Sequence, residues 1–196
     1  MNETWQMYIT FALLAFAVAP GRASPRPVQL ALLIGFSVLA FVPVSSLSLA
    51  AWLRTYTDDL AVTSLLLLGW VGLVRLRLAT PLTRTFRWQI LALFAALALF
   101  LYPATLGLTY FDPYRLGYAA GPLLAGLALI TLGLWLLGNH AGVVLLVVAT
   151  LAYAFNLKPS NNYWDYLIDP FLALYCLGAL LSGLKRYGTS RTANAN

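Results

Sequence analysis

The chain has 196 residues, of which 61% are hydrophobic and only 9% are charged, and its mean hydropathy is +0.81. Soluble domains carry about 25% charged residues, so this composition excludes a protein covered by a hydrated surface. The net charge of +6 lies at the borders of apolar segments rather than in basic runs, so no nucleic-acid binding is expected. The composition predicts an integral membrane protein.

Seven apolar segments follow one another, separated by short polar or Gly/Pro-containing connections. A helical span needs about 20 apolar residues, and helices satisfy their own backbone groups in lipid. The sequence therefore predicts an all-α fold, a bundle of about seven transmembrane helices in one domain over residues 1–187, with a polar cytoplasmic tail at 188–196. The predicted spans are 4–19, 28–52, 60–78, 88–109, 116–137, 143–155 and 170–184.

The second predicted span, 28–52, is interrupted by Pro43. Ser45, Ser46 and Ser48 follow the proline closely. A proline inside a span marks a kink, and nearby hydroxyls can bond the carbonyls that the kink frees. We therefore expect one long, kinked helix here.

The charged residues sort onto two sides of such a bundle. One side carries nine cations and no acid: Arg22, Arg26, Arg75, Arg77, Arg84, Arg87, Lys185, Arg186 and Arg191. The other carries Arg54, Arg115 and Lys158 together with all six acids: Glu3, Asp58, Asp59, Asp112, Asp165 and Asp169. Because cytoplasmic loops are enriched in Lys and Arg, we expect the N-terminus outside and the C-terminus in the cytoplasm. The Leu/Ala-rich composition favours the inner membrane of a bacterium.

The tyrosines are as one-sided as the acids. Ten of the eleven fall in the outer half, and only Tyr187 lies inside. An interfacial belt would occupy both surfaces, so this distribution predicts an outward-facing mouth formed by residues 54–59, 110–118 and 156–170. The alternative is an ordinary outer belt of aromatic residues.

Most of the acids lie where helix caps are expected. Asp58 and Asp59, Asp112 and Asp169 each precede an inward-running segment, and the last two are followed by proline. Aspartate before a helix accepts hydrogen bonds from free backbone N–H groups, and proline fits the first helical position. Glu3 has a similar position before the first segment. The two Asp-Pro starts also share an aromatic residue followed four positions later by tyrosine, which indicates either a shared helix-entrance design or a remnant of duplication.

Asp165 is the acid that capping does not explain. It lies between Trp164 and Tyr166, and a carboxyl group shielded by aromatic rings has the environment of a general acid or proton carrier. The alternatives are a charge partner for Lys158 or Arg115, or a capping role in a short helix that begins near Asn162. Asp165 is the single catalytic candidate in the chain.

The predicted mouth combines aromatic rings with amide, carboxylate and cationic groups. Such a set suits a sugar, a lipid headgroup or a loop of a partner protein. The residues expected to bind a ligand are Asp112, Tyr114, Arg115, Tyr118, Lys158, Asn161, Asn162, Tyr163, Trp164, Asp165 and Asp169.

Other residues carry no specific chemistry. His140 is the single histidine and is expected in a turn, and Cys176 has no partner for a disulfide. A small-residue stripe of Gly117, Gly121 and Ala125 favours close helix packing within the protein or against another protein. No motif for a nucleotide, a metal or a catalytic nucleophile is present, so neither a cofactor nor a metal is expected.

Two classes of function fit these features. The first is a binding, accessory or transport protein whose mouth holds a small ligand, a lipid headgroup or a partner membrane protein, with the lipid bilayer around it. The alternative is a membrane enzyme that acts on a lipid-linked substrate at the outer face, with Asp165 as acid or base. The first is favoured because no nucleophile–base pair is visible.

Overall fold

The structure is a computed structural model that describes residues 5–193, with side chains through residue 183. Within these residues the chain is all-helical, apart from one antiparallel hairpin of two-residue strands, so the all-α part of the predicted fold is confirmed. The elements are α1 (Trp5–Val18), α2 (Arg26–Leu39), β1 (Pro43–Val44), β2 (Leu47–Ser48), α3 (Leu49–Thr57), α4 (Val62–Arg75), α5 (Arg84–Thr105), a 3-10 helix (Pro113–Gly117), α6 (Gly121–Leu136), α7 (His140–Ala154), α8 (Trp164–Leu167) and α9 (Pro170–Ala193).

The helices pack in a chain of neighbours rather than around one axis. Helix α1 contacts α2, α3 and α4; α4 contacts α7; α7 contacts α5 and α6; and α5 contacts α9. The main core lies among α5, α6, α7 and α9 and includes the fully buried Phe94, Leu146 and Trp164. At Gly183 of α9 a Cβ would lie 2.7 Å from Trp88 Cζ2 of α5, so the missing side chain permits this close approach.

Contacts between helix ends fix the direction of each helix. Gln6 Nε2 donates to the Leu60 carbonyl just before α4 (2.6 Å), and Arg75 at the end of α4 contacts Phe16 at the end of α1. Helices α1 and α4 therefore run in the same direction. Helix α9 runs opposite to α5, because Gly183, far along α9, meets Trp88 near the start of α5. The short turn at 137–139 makes α6 and α7 antiparallel.

These directions give the molecule two distinct ends. One end gathers the described acids, and we call it the acidic end; it contains the connections 58–61, 106–120 and 155–169. The other, the basic end, contains the connections 19–25, 76–83 and 137–139, where Arg22, Arg77 and Arg84 are exposed. The three segments that the sequence assigned to one mouth therefore lie together at the acidic end.

Buried Arg75 holds the basic ends of α1, α2 and α4 together. Its Nη1 donates to the carbonyls of Phe16 and Ala19 (2.9 Å for the latter), and its Nη2 donates to that of Pro20 at 2.9 Å. Its Nε donates to Gln29 Oε1 at 2.6 Å, and the guanidinium lies 4.4 Å above the Phe16 ring. These carbonyls have no partner within α1 because they lie in its last turn or just after it.

The expected single kinked helix over 28–52 is wrong. Helix α2 ends at Leu39, Pro43 begins a β-hairpin with Ser45 at its turn (φ 59°), and α3 begins at Leu49. The Ser48 hydroxyl accepts from the Ala51 N–H at 3.2 Å and caps α3. The Ser48 hydroxyl thus starts a new helix instead of supporting a bent one.

The capping predictions are partly correct. Asp112 Oδ1 accepts from the Tyr114 N–H (3.0 Å), but it caps the short 3-10 helix and not α6, which starts at Gly121. Asp169 Oδ1 accepts from the Leu172 N–H (2.8 Å) and caps α9 as expected. Glu3 lies outside the described residues.

Asp58 and Asp59 do not cap α4, contrary to prediction. Asp169 Oδ2 accepts from the Ala61 N–H at 2.9 Å, so one buried carboxylate supports the starts of both α4 and α9. Asp59 instead pairs with Arg54 at 2.6 Å. Asp58 ends α3 with a positive φ (54°), and its N–H donates to the Arg54 carbonyl at 2.8 Å.

Among the described residues one helix, α5, is long and apolar enough to cross a membrane, judged by length and composition alone. Six shorter apolar stretches of 14–16 residues lie in α1, α2, α4, α6, α7 and the part of α9 up to Gly183. Each of the seven predicted segments thus contains an apolar helix; the helices of the first, second, third and fifth segments are shorter than predicted, whereas α7 is slightly longer than the predicted 143–155. The helical backbone of α9 continues to Ala193, past the predicted start of the tail at 188, and residues 194–196 lie outside the described part.

Candidate functional site

Residues 155–169 connect α7 to α9 and form the centre of the acidic end. Asn156 ends α7 with a left-handed backbone (φ 51°), and its N–H donates to the Tyr153 carbonyl at 3.0 Å. Asn162 Oδ1 accepts from the Trp164 N–H (3.0 Å) and so begins the one-turn helix α8. Asparagine suits both positions because its short amide bonds locally and tolerates the left-handed region.

Three aromatic residues fix this connection in the core. Tyr163, Trp164 and Tyr166 are fully buried. Trp164 Nε1 donates to the Pro113 carbonyl at 2.9 Å, and the Tyr163 hydroxyl lies 2.5 Å from Thr150 Oγ1 of α7. The Tyr166 hydroxyl accepts from the Lys158 N–H at 3.2 Å. Burial raises the pKa of the Tyr163 hydroxyl despite its bond with Thr150, so this phenol stays neutral in the core.

Gly117 allows the 3-10 helix to lie directly against this connection. A Cβ at Gly117 would overlap the Asn162 carboxamide and lie 2.8 Å from Trp164 Cδ1. The Gly117 carbonyl accepts from the Tyr163 N–H (3.0 Å), and Asn162 Nδ2 donates to the Tyr114 carbonyl (3.1 Å). Residues 113–117 and 160–165 are therefore held as one unit.

Lys158 is a buried cation that points into the protein. Its Nζ donates to three backbone carbonyls, those of Asp59 (2.9 Å), Leu60 (3.0 Å) and Asp165 (2.8 Å). Burial lowers the pKa of Lys158, and the nearby carboxylates, Asp165 first, oppose this effect only in part. All three N–H donors are used, so Lys158 links the α3–α4 connection to α8.

The Asp165 carboxylate lies half-buried at the surface of this unit. The Tyr114 hydroxyl donates to it, 3.1 Å from Oδ1 and 3.3 Å from Oδ2, and the Ser160 hydroxyl donates to Oδ2. Burial and the negative charge of Asp165 raise the pKa of Tyr114, so this phenol remains a donor. Neither Lys158 nor Arg115 forms a direct ion pair with Asp165 among the described residues, although the charge of Asp165 still acts on the pKa of Lys158.

Exposed polar and aromatic groups lie on the two connections that meet at Asp165. The Tyr118 ring is 63% exposed and meets the Tyr114 ring edge-on with centroids 5.8 Å apart. Asp112, Arg115 and Asn161 are also exposed. We call the seven residues of this surface the Asp165 surface: Asp112, Tyr114, Arg115, Tyr118, Ser160, Asn161 and Asp165.

The predicted ligand-binding residues thus divide into two groups. Six of them lie on the Asp165 surface: Asp112, Tyr114, Arg115, Tyr118, Asn161 and Asp165. The other five are buried and engaged in contacts within the protein: Lys158, Asn162, Tyr163, Trp164 and Asp169. The acidic end is therefore densely packed and presents an exposed polar surface, rather than an open mouth.

Sequence reasoning missed Ser160, Gln6 and Thr150. Ser160 follows Pro159 and precedes two asparagines, a composition typical of a turn, and this signal indicated local hydrogen bonding by its hydroxyl. Gln6 and Thr150 are polar residues in apolar segments. Only the packing partners, the Leu60 carbonyl and Tyr163, reveal their roles.

Two concavities lie away from the Asp165 surface. A groove of about 640 Å³ runs between α6 and α7, lined by apolar side chains with Thr131 and Thr150. A second space of about 160 Å³ lies between α1, α4 and α7 and includes Gln6 and Lys158. Within the described part of the chain no three His, Cys, Asp or Glu side chains lie together as a metal site would require.

The Asp165 surface offers a fixed carboxylate acceptor beside an exposed aromatic ring, and it can orient a ligand that donates hydrogen bonds. Comparison of the chain with protein-family models, with curated proteins and with solved structures finds no match.

Proposed function

We propose that this protein is a small polytopic protein of a bacterial inner membrane whose outward-facing surface binds a small ligand, a lipid headgroup or a partner membrane protein. The seven apolar helices cross the membrane, with the acidic end outside and the C-terminus in the cytoplasm. One observation carries the proposal: the hydrogen bond from Tyr114 to Asp165 joins two connections that are 51 residues apart, amid exposed polar groups.

Large apolar side chains exposed on several helices support the membrane location. Leu99, Leu129 and Leu174 belong to three different helices, and each is 62–71% exposed. Soluble monomers rarely expose large contiguous apolar surfaces. Lipid is the solvent in which such side chains are favourable.

The distribution of charge supports the orientation. Contacts between helix ends gather the described acids at one end and the arginines Arg22, Arg77 and Arg84 at the other. Cytoplasmic loops are the cation-rich ones. The basic end is therefore assigned to the cytoplasm in this proposal.

Cysteine labelling in intact bacterial cells tests the location and orientation. Cys176 is buried, so a Cys176→Ala background supports single reporters at Asn161→Cys and Thr85→Cys, which are exposed at the acidic and basic ends. A membrane-impermeant maleimide should label position 161 in intact cells, and position 85 only after permeabilisation. The reverse pattern would show the opposite orientation, and recovery of the protein outside the membrane fraction would exclude the location.

Native mass spectrometry tests binding. The protein, extracted in mild detergent from cells that express it, should retain a stoichiometric ligand or subunit that Asp165→Asn loses. Asp58→Asn is the matched control, because Asp58 is an exposed acid of the same end and the substitution removes the same charge with almost no change in side-chain size. Loss of the companion from both variants, or from neither, would contradict a role for the Asp165 surface.

One contact favours the alternative, a membrane enzyme with Asp165 as acid or base. The Ser160 hydroxyl donates to the Asp165 carboxylate, which is the direction that a carboxylate base requires. For an enzyme, Asp165→Asn should abolish turnover of a lipid-linked substrate and leave the substrate bound. For a binding protein, the same change should remove the ligand.

A further inference from the structure

The five described acids of the acidic end differ in what neutralises them. Asp59 pairs with Arg54. Asp169 and Asp112 accept backbone N–H groups at helix starts. Asp58 is exposed to solvent. Asp165 is the remaining case, half-buried and held only by two neutral hydroxyl groups.

The two hydroxyl groups orient Asp165 without satisfying it. An ionised carboxylate has about four acceptor positions, and Tyr114 and Ser160 supply two protons. The ammonium of Lys158 is near, but its three N–H groups already donate to carbonyls, including that of Asp165 itself. The carboxylate therefore keeps free acceptor positions and a charge that no ion pair compensates among the described residues.

The exposed ring of Tyr118 lies near the Asp165 carboxylate. The Tyr118 ring meets the Tyr114 ring edge-on with centroids 5.8 Å apart, and the Tyr114 hydroxyl donates to Asp165, so Tyr118 lies near the carboxylate. The exposed ring face attracts cations through its quadrupole. A carboxylate with an aromatic face is a combination suited to an ammonium group.

We propose that the Asp165 surface binds a primary ammonium group, such as that of an ethanolamine headgroup or of free ethanolamine. The ammonium donates N–H bonds to the Asp165 carboxylate and lies against the Tyr118 ring. A quaternary ammonium has the same charge and no N–H donor, so it binds more weakly. This inference names the ligand chemistry of the proposed function and rests on it.

A lipid competition tests the inference directly. The purified full-length protein is delipidated and offered equal amounts of phosphatidylethanolamine and phosphatidylcholine, and retained lipids are counted by native mass spectrometry. We expect the ethanolamine lipid to be retained about tenfold over the choline lipid, the ratio that one charge-assisted hydrogen bond provides. Asp165→Asn should bring the ratio near one, and Asp58→Asn should leave it unchanged.

Two further arms complete the experiment. Free ethanolamine that displaces the lipid would identify the ammonium alone as the determinant, whereas an unchanged lipid preference would identify the whole headgroup. If Asp165→Asn does not fold, Tyr118→Leu, which alters an exposed ring, should lower retention of the ethanolamine lipid several-fold.

Equal retention of both lipids by the unmodified protein, or an unchanged preference in Asp165→Asn, would overturn the inference. A native companion that is lost in Asp165→Asn, together with equal retention of both lipids, would overturn the ammonium inference alone. Labelling of position 161 from the cytoplasmic side would instead overturn the proposed function.

Discussion

Gly117 determines how closely two distant parts of the chain can approach. The Asn162 carboxamide and Trp164 occupy the space that a side chain at this position would need. Asn162 cannot turn away without losing its bonds to the Tyr114 carbonyl and the Trp164 N–H. The packing of the Asp165 surface therefore depends on the absence of one methyl group.

We predict that Gly117→Ala lowers the free energy of unfolding by about 3 kcal/mol, because overpacking forces buried groups apart. Gly121→Ala is the control: nothing lies within 4 Å of its Cβ position, and alanine favours the helix there. Thermal unfolding in detergent measures both variants. Equal effects of the two substitutions would contradict the close packing at Gly117.

Lys158 is a second residue whose environment decides its chemistry. Its side chain is buried, and burial lowers its pKa below the ordinary value of 10.5 in spite of the surrounding carboxylates. The unfolded chain therefore binds a proton at Lys158 in a pH range where the folded protein does not. Between the lowered pKa and 10.5, the contribution of Lys158 to stability rises with pH.

This sign gives a pH prediction. The free energy of unfolding of the unmodified protein minus that of Lys158→Met should increase from pH 8 to pH 10, by at most about 1.4 kcal/mol per pH unit. Denaturant unfolding at a series of pH values measures it, and taking the difference removes groups that titrate alike in both proteins. A difference that shrinks with pH would mean that the carboxylates outweigh burial.

At the scale of elements, buried polar groups join helices that the chain does not connect directly. Asp169 supports the starts of α4 and α9, and Arg75 connects α4 to the ends of α1 and the start of α2. Each satisfies backbone groups that a helix end leaves free. These contacts help to position the acidic and basic ends relative to the helices.

We predict that Arg75→Lys lowers the free energy of unfolding by about 3 kcal/mol, because one ammonium cannot reproduce four hydrogen bonds from a planar guanidinium. Arg84→Lys, at an exposed position of the same end, should change stability by less than about 0.5 kcal/mol. Unfolding of the two variants in the same detergent provides the comparison. An unchanged free energy of unfolding in Arg75→Lys would show that the guanidinium hydrogen bonds do not hold α1 and α4 together.

At the scale of the whole molecule, helix length is the distinctive feature. The six shorter apolar helical stretches have 14–16 residues, or about 21–24 Å at 1.5 Å per residue. A typical hydrocarbon core is about 30 Å thick. Helix α5, with 22 residues, reaches about 33 Å and would tilt in a thinner bilayer.

We predict that the protein is more stable in thin bilayers than in thick ones. Its midpoint of thermal unfolding should be higher in vesicles of 14-carbon than of 20-carbon monounsaturated phosphatidylcholine, because mismatch carries a free-energy penalty for each ångström. Keeping the headgroup constant isolates thickness. A higher midpoint in the thicker bilayer would contradict a short hydrophobic belt.

The sequence by itself determined the all-helical fold, the positions of the apolar segments and the grouping of the acidic connections. These depend on composition and on residues adjacent in the chain, where turns, caps and hydrophobicity act locally. Asp112 and Asp169 were recognised as caps for the same reason. Pro43 was misread because one proline fits a kink or a turn, and the residues that flank the hairpin, Ala40 and Ala50, pack against Met7 of α1.

Only the tertiary structure decided which polar groups are exposed and which support the fold. Lys158, Asn162 and Asp169 resemble Arg115, Asn161 and Asp165 in sequence, yet the first three are buried and satisfied by carbonyls or N–H groups from distant segments. The partners of Asp165, Tyr114 and Ser160, follow from the close approach at Gly117. Such partnerships depend on contacts across dozens of residues, and local composition does not encode them.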